Sequence, residues 1–134
     1  MNYSEKQFNA LLAQIFVRTD QMLLESDNVI PYGLTLNQDN QVEILVAANV
    51  SEKLSDCLAY IQDELREKLQ SEDFVATAVV FADYDNMEII AMLENNQNYC
   101  LKVLIPVINE QHLRIDVNQI KTEAGAVYIF PFVS

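Results

Sequence analysis

Glycine occurs only at Gly33 and Gly125 in this 134-residue chain, and tryptophan not at all. A phosphate-cradling loop needs several glycines so that the backbone can close on its ligand, so this class of nucleotide site is ruled out. The single histidine, His112, falls in a segment that reads as a turn, with no serine or cysteine motif beside it. A catalytic triad would therefore have to be assembled wholly by the fold. Cys57 and Cys100 lie in different elements, without the spacing of a redox motif or a metal knuckle, and read as two buried thiols. With so few soft ligands, zinc would have to rely on carboxylates, and no cofactor is expected.

Positive charge is also scarce. Eight lysines and arginines stand against 20 acidic residues, for a formal net charge of −12. The basic residues are scattered from Lys6 to Lys121 rather than clustered. Phosphate backbones and anionic headgroups are held by clustered cations, so nucleic acid and membrane are disfavoured as partners and a basic protein is favoured. No apolar run approaches the ~20 residues that span a bilayer. The start, Met1 to Lys6, lacks the basic-then-apolar pattern of a secretory signal, and the expected compartment is the cytoplasm.

Apolar residues nevertheless make up 51% of the chain, too many for a disordered acidic segment, so the charge should lie on the surface of one folded domain spanning residues 1–134. From Ser4 to Ser26, Phe8, Leu11, Leu12, Ile15, Thr19, Met22 and Leu23 recur at intervals of three and four, which predicts a helix, with Ser4 and Gln7 at capping-box spacing. Two β-branched runs, Val29 to Leu36 and Val42 to Ala48, flank a short polar link and predict a hairpin. Ser51 reads as the N-cap of a second helix whose apolar stripe is Leu54, Cys57, Leu58, Ile61, Leu65 and Leu69.

Beyond Asp73 the chain breaks into runs of about eight residues, divided by amide and acidic clusters, as expected of an antiparallel meander. The runs are Phe74 to Ala82, Met87 to Glu94, Tyr99 to Ile108, Leu113 to Val117 and Ala126 to Val133; residues 118–125 fit either a wide loop or one helical turn. Asparagine and aspartate tolerate the left-handed region and can close turns that glycine would otherwise make. Pro31, Pro106 and Pro131 fall inside strand-like runs, so at least one should mark a bulge, a strand end or a departure from the sheet. The predicted fold is α+β, with both helices packed on one face of the sheet through Phe8, Leu12, Ile15, Leu58, Ile61 and Leu65. Ile90, Met92 and Leu104 make the opposite face apolar too, which leads to the expectation of a homodimer covering it.

Charge distribution carries the functional content. Ten of the twelve net negative charges fall between residues 29 and 98, on one hairpin, one helix and one turn. Glu52, Asp56, Asp63, Glu64, Glu67, Asp83 and Asp85 are the candidate partner-binding face of a small acidic module, adaptor-, chaperone- or immunity-like, without catalysis. In size and acidity the chain resembles bacterial type III secretion chaperones and nuclease-immunity proteins, in class rather than motif; its strand-like C-terminus departs from the helix that ends a secretion chaperone. Two other readings compete. One is a ligand-binding protein or enzyme with a pocket between helices and sheet, using Tyr32, Tyr60 or Tyr99 with a strand carboxylate. The other is a structural subunit of a homo-oligomer. The Asp83 to Glu88 cluster could hold a cation but reads better as a solvated turn, and Glu88 and Glu94 read as solvent-face residues of their strand.

Overall fold

The computed structural model describes residues 3–133. Helix α1 (Tyr3–Ser26) leads into the hairpin β1 (Tyr32–Asn37) and β2 (Val42–Val46), followed by α2 (Leu54–Leu69). Strands β3 (Phe74–Asp83), β4 (Glu88–Asn95), β5 (Cys100–Glu110), β6 (His112–Ile115) and β7 (Lys121–Ala124) complete one seven-stranded sheet in the order β2-β1-β3-β4-β5-β6, with β7 also paired to β5. Every pairing is antiparallel, and the α+β architecture read from the sequence is the one formed.

The helices, however, lie on opposite faces of the sheet, not on one. Strand residues alternate in facing. Tyr32, Leu34 and Leu36 of β1 point into a core with Phe8, Leu11, Ile15 and Leu23 of α1. Gly33 points the other way, where a Cβ would lie 2.8 Å from Ile61 Cγ2 and 3.2 Å from Leu65 Cδ1 of α2. The connection dictates this. The chain leaves edge strand β2 and must cross β1 to reach β3, so α2 passes over the middle of β1, and only glycine leaves it room there. Cys57, Ile61 and Leu65 pack with Phe74, Val79, Ile129 and Phe130 in this second core. Sandwiched between two layers, β3 is buried on both faces from Phe74 to Val80, hence its unbroken apolar run.

Elsewhere, local chemistry differs from its sequence-level reading. Ser4 and Gln7 lie inside α1 and do not form a capping box; Ser4 Oγ and Gln7 Oε1 each accept a 2.9 Å hydrogen bond from Asn95 Nδ2, tying α1 to the β4–β5 turn. Ser51 lies two residues before Lys53, the N-cap of α2, and its Oγ accepts from Lys53 N at 3.1 Å and donates to Asp56 Oδ2 at 2.8 Å. Residues 117–119 form a single 3-10 turn and 121–124 an additional strand. The turn chemistry follows expectation: Asp27, Asn40, Asn49 and Asn98 adopt positive φ, as do Met87 and Gln111, and neither glycine does. Pro31 precedes β1 and Pro131 lies beyond the last strand. Pro106 sits at the seam where the edge partner of β5 changes from β7 to β6, so its missing N–H interrupts neither ladder.

Residues 126–133, predicted as a strand, form an irregular strap across the α2 face. Ile129 and Phe130 are buried, and the Phe130 ring meets Phe74 edge to face at 5.9 Å. Beneath the strap lies Glu94, only 3% exposed, so its assignment to the solvent face is overturned. Its Oε1 accepts from the Tyr128 and Ile129 N–H groups at 2.9 Å, and its Oε2 from Phe130 N–H at 3.2 Å. Arg66 Nε donates to the Tyr128 carbonyl at 2.7 Å, and Asn98 holds Pro131 O and Val133 N. Helix α2 and this strap cover much of the face that motivated a homodimer, and that argument for a second copy falls away.

Candidate partner-binding surface

Helix α2 sets the charge on the surface. At about 100° per residue, Asp56, Asp63 and Glu67 project within about 40° of one another, roughly opposite the buried Ile61 and Leu65. Glu64 lies about 80° round the helix from Asp56. Arg66 Nη1 pairs with Asp63 at 3.0 Å and Lys68 with Glu72 at 3.7 Å. Both pairs are exposed, so water screens them and each contributes little to stability. Among the described residues, Glu52, Asp56, Glu64, Glu67, Asp83 and Asp85 form no ion pair.

Glu52, Asp83 and Asp85, from two segments far apart in sequence, line one open groove of about 960 Å³. One wall is the start of α2. The other is the β3–β4 turn, held by Tyr84, whose hydroxyl donates to Asn28 Oδ1 at 2.6 Å and accepts from Val29 N at 2.9 Å. On the α2 side, the Cys57 thiol donates to the Ser51 carbonyl at 3.4 Å. The Ala47 N–H bonds the Pro31 carbonyl at 2.9 Å and closes the base of the hairpin beneath the groove. No lysine or arginine lines it. Asp83 Oδ2 accepts from Asn86 Nδ2 at 2.8 Å, so the turn satisfies one carboxylate oxygen internally. No three histidine, cysteine or acidic residues among those described are placed to hold a metal ion.

The seven candidate residues thus fall into two connected groups: Asp56, Asp63 and Glu67 along the outer ridge of α2, and Glu52, Asp83 and Asp85 around the groove at its N-terminal end, with Glu64 to the side. Sequence reasoning missed the apolar side chains between them. Ile30, Leu54 and Tyr84 are all exposed large hydrophobics, and all line the groove. Leu54 heads a stripe that reads as core in sequence, but it lies in the first turn of α2, beyond the reach of the sheet. The signal was available in Val29-Ile30-Pro31, an apolar run before a proline that cannot extend the ladder.

The three tyrosines weighed for a ligand pocket do not converge. Tyr32 is fully buried beneath α1, its hydroxyl 2.9 Å from Thr19 Oγ1 and donating to the Ile15 carbonyl at 3.4 Å; loss of water pushes its pKa up to about 12. Tyr60 packs on the α2 side, and Tyr99 is 60% exposed near the β4–β5 turn. The Cys100 thiol is pushed up by burial and by the Glu94 carboxylate, away from nucleophilic reactivity. His112 is exposed at the start of β6.

No helix among the described residues is long and apolar enough to cross a membrane. Comparison with protein-family models, curated proteins and solved structures finds no match to this chain.

Proposed function

We propose that the protein is a non-enzymatic binding module that recognises a basic protein partner through Glu52, Asp56, Asp63, Glu64, Glu67, Asp83 and Asp85. The observation that carries this reading is the convergence of Glu52 with Asp83 and Asp85 on one groove that no basic side chain lines. Carboxylates left unpaired on a chain of net charge −12 create a negative field that speeds the encounter with a cationic surface and repels anionic competitors. The ridge of α2 extends that field beyond the groove. Because most of these groups are solvent-exposed, with Glu64 and Asp83 half-buried, they act mainly on association rate and selectivity, while packing at the contact sets the lifetime of the complex.

The test is a paired capture from the native host's lysate at low and moderate salt, with wild-type protein and with a variant carrying Asp56, Asp63, Glu64 and Glu67 all as serine. A basic protein retained stoichiometrically by wild type, lost as salt rises and weakened in the variant supports the reading. Equal retention by both baits removes the α2 ridge from it.

A further inference from the structure

Resting on that reading, we infer that the groove at the start of α2 receives a short basic segment of the partner whose single apolar side chain is anchored between cationic neighbours. Two independent features of the groove lead to this chemistry. Apolar side chains line its floor and part of each wall: Val29 and Ala47 are buried beneath it, and Leu54 on the α2 side and Ile30 are 41% and 38% exposed. Large apolar side chains left in water on a monomer mark a contact surface when they gather in one concavity. The rim is anionic without compensation, with Glu52 on one wall and Asp83 and Asp85 on the other. An acidic or purely apolar segment would leave those charges unpaired or bring like charges together, which is costly at an interface; a segment with lysine or arginine on both sides of its anchor satisfies both walls.

The groove is also held open before binding. The 2.6 Å Tyr84–Asn28 hydrogen bond fixes the turn wall and the Cys57–Ser51 contact fixes the beginning of α2, so little order must be gained on binding. A docked segment would lie where α2 and the β3–β4 turn both reach it, with the ridge of α2 available to further basic residues of the same partner.

The probes are three synthetic peptides titrated into ¹⁵N-labelled full-length protein at low ionic strength: acetyl-Lys-Arg-Leu-Lys-Arg-amide, the same peptide with alanine for leucine, and the same with aspartate for every basic residue. The leucine peptide should give saturable shifts at the amides of Ala47, Leu54 and Phe81. The alanine peptide should bind at least tenfold more weakly, and the aspartate peptide should not bind. Two variants separate the parts of the proposal. Ala48→Trp, at an exposed groove position, should abolish the advantage of leucine over alanine while leaving the weaker charge-driven binding. Glu52→Gln/Asp83→Asn/Asp85→Asn should weaken both basic peptides and flatten their salt dependence. Equal binding of leucine and alanine peptides would overturn the anchor while leaving the acidic-face reading standing. Retention of the leucine preference in the triple variant, with unchanged salt dependence, would overturn the basic flanks and the rim's part in the wider reading.

Discussion

Replacing Glu94 by alanine should release the C-terminal strap while leaving the sheet folded. The wild-type carboxylate holds three successive backbone N–H groups, on Tyr128, Ile129 and Phe130. A hydrogen bond to a charged group contributes about 1.5–3 kcal/mol, so a simple sum of about 4.5–9 kcal/mol would equal the whole stability of a marginal domain. The real loss is smaller, because the chain has two responses and adopts the less costly one. If the strap stays, the Ile129 and Phe130 donors are left buried without an acceptor, at about 1–3 kcal/mol each. If it leaves, it gives up the burial of Ile129 and Phe130, about 1.5–3 kcal/mol each, and recovers the backbone entropy of the freed residues. The freed backbone entropy tips the balance towards detachment, and the cost of the two orphaned donors caps the loss of global stability at about 2–6 kcal/mol. Urea unfolding measures that loss, and amide exchange locates it: Ile129 and Phe130 should exchange at unprotected rates while Val79, Ala91 and Val103 in the sheet remain protected. Glu94→Gln keeps one acceptor oxygen and should lie between wild type and Glu94→Ala. Undiminished protection at Ile129 and Phe130 in Glu94→Ala would refute the reasoning, because it would mean that side-chain packing alone holds the strap.

Tyr32 should make the protein sensitive to alkali. Its folded pKa of about 12 stands above the unfolded value of 10.0, so its contribution to stability is complete below pH 10 and is lost as pH rises towards 12, by about 2–3 kcal/mol over that window. Tyr32→Phe should flatten the decline in denaturation midpoint between those pH values, and an equally steep decline in the variant would locate the effect elsewhere. At Gly33, an added methyl meets the fixed γ-methyl of Ile61 at 2.8 Å, so Gly33→Ala should cost about 1–3 kcal/mol despite a backbone that alanine can adopt. In a double-mutant cycle, Gly33→Ala with Ile61→Ala should be less destabilising than the sum of the two single changes; strict additivity would mean that α2 does not bear on that position.

The elements were legible in the sequence where side-chain periodicity is governed by a single neighbour. Helix α1, the β1–β2 hairpin and the β3–β4–β5–β6 meander followed from apolar spacing and from asparagine and aspartate at the turns. The layering was harder to read because it depends on which element crosses which. Gly33 carries that information, yet a lone glycine in a strand signals only that something approaches closely, not from which element or direction. The continuous apolar run of β3 was the more direct sign of a sheet covered on both faces. Glu94 could not be placed from sequence, since its partners are backbone N–H groups some 35 residues away on a segment whose aromatic, β-branched composition imitates a strand. Of the candidate surface, the carboxylates were legible as an excess of one charge. Their meeting around Ile30 and Leu54 was not, because it depends on the crossing of β1 by α2.

The measurement that bears most directly on the proposed function is the association rate of the captured partner as a function of ionic strength. Wild-type protein should associate more slowly with each increment of salt, and the variant with serine at Asp56, Asp63, Glu64 and Glu67 should associate more slowly at low salt, with a shallower dependence and a dissociation rate changed far less. Coincident rates for the two proteins across the salt series would contradict the assignment of this acidic ridge to recognition.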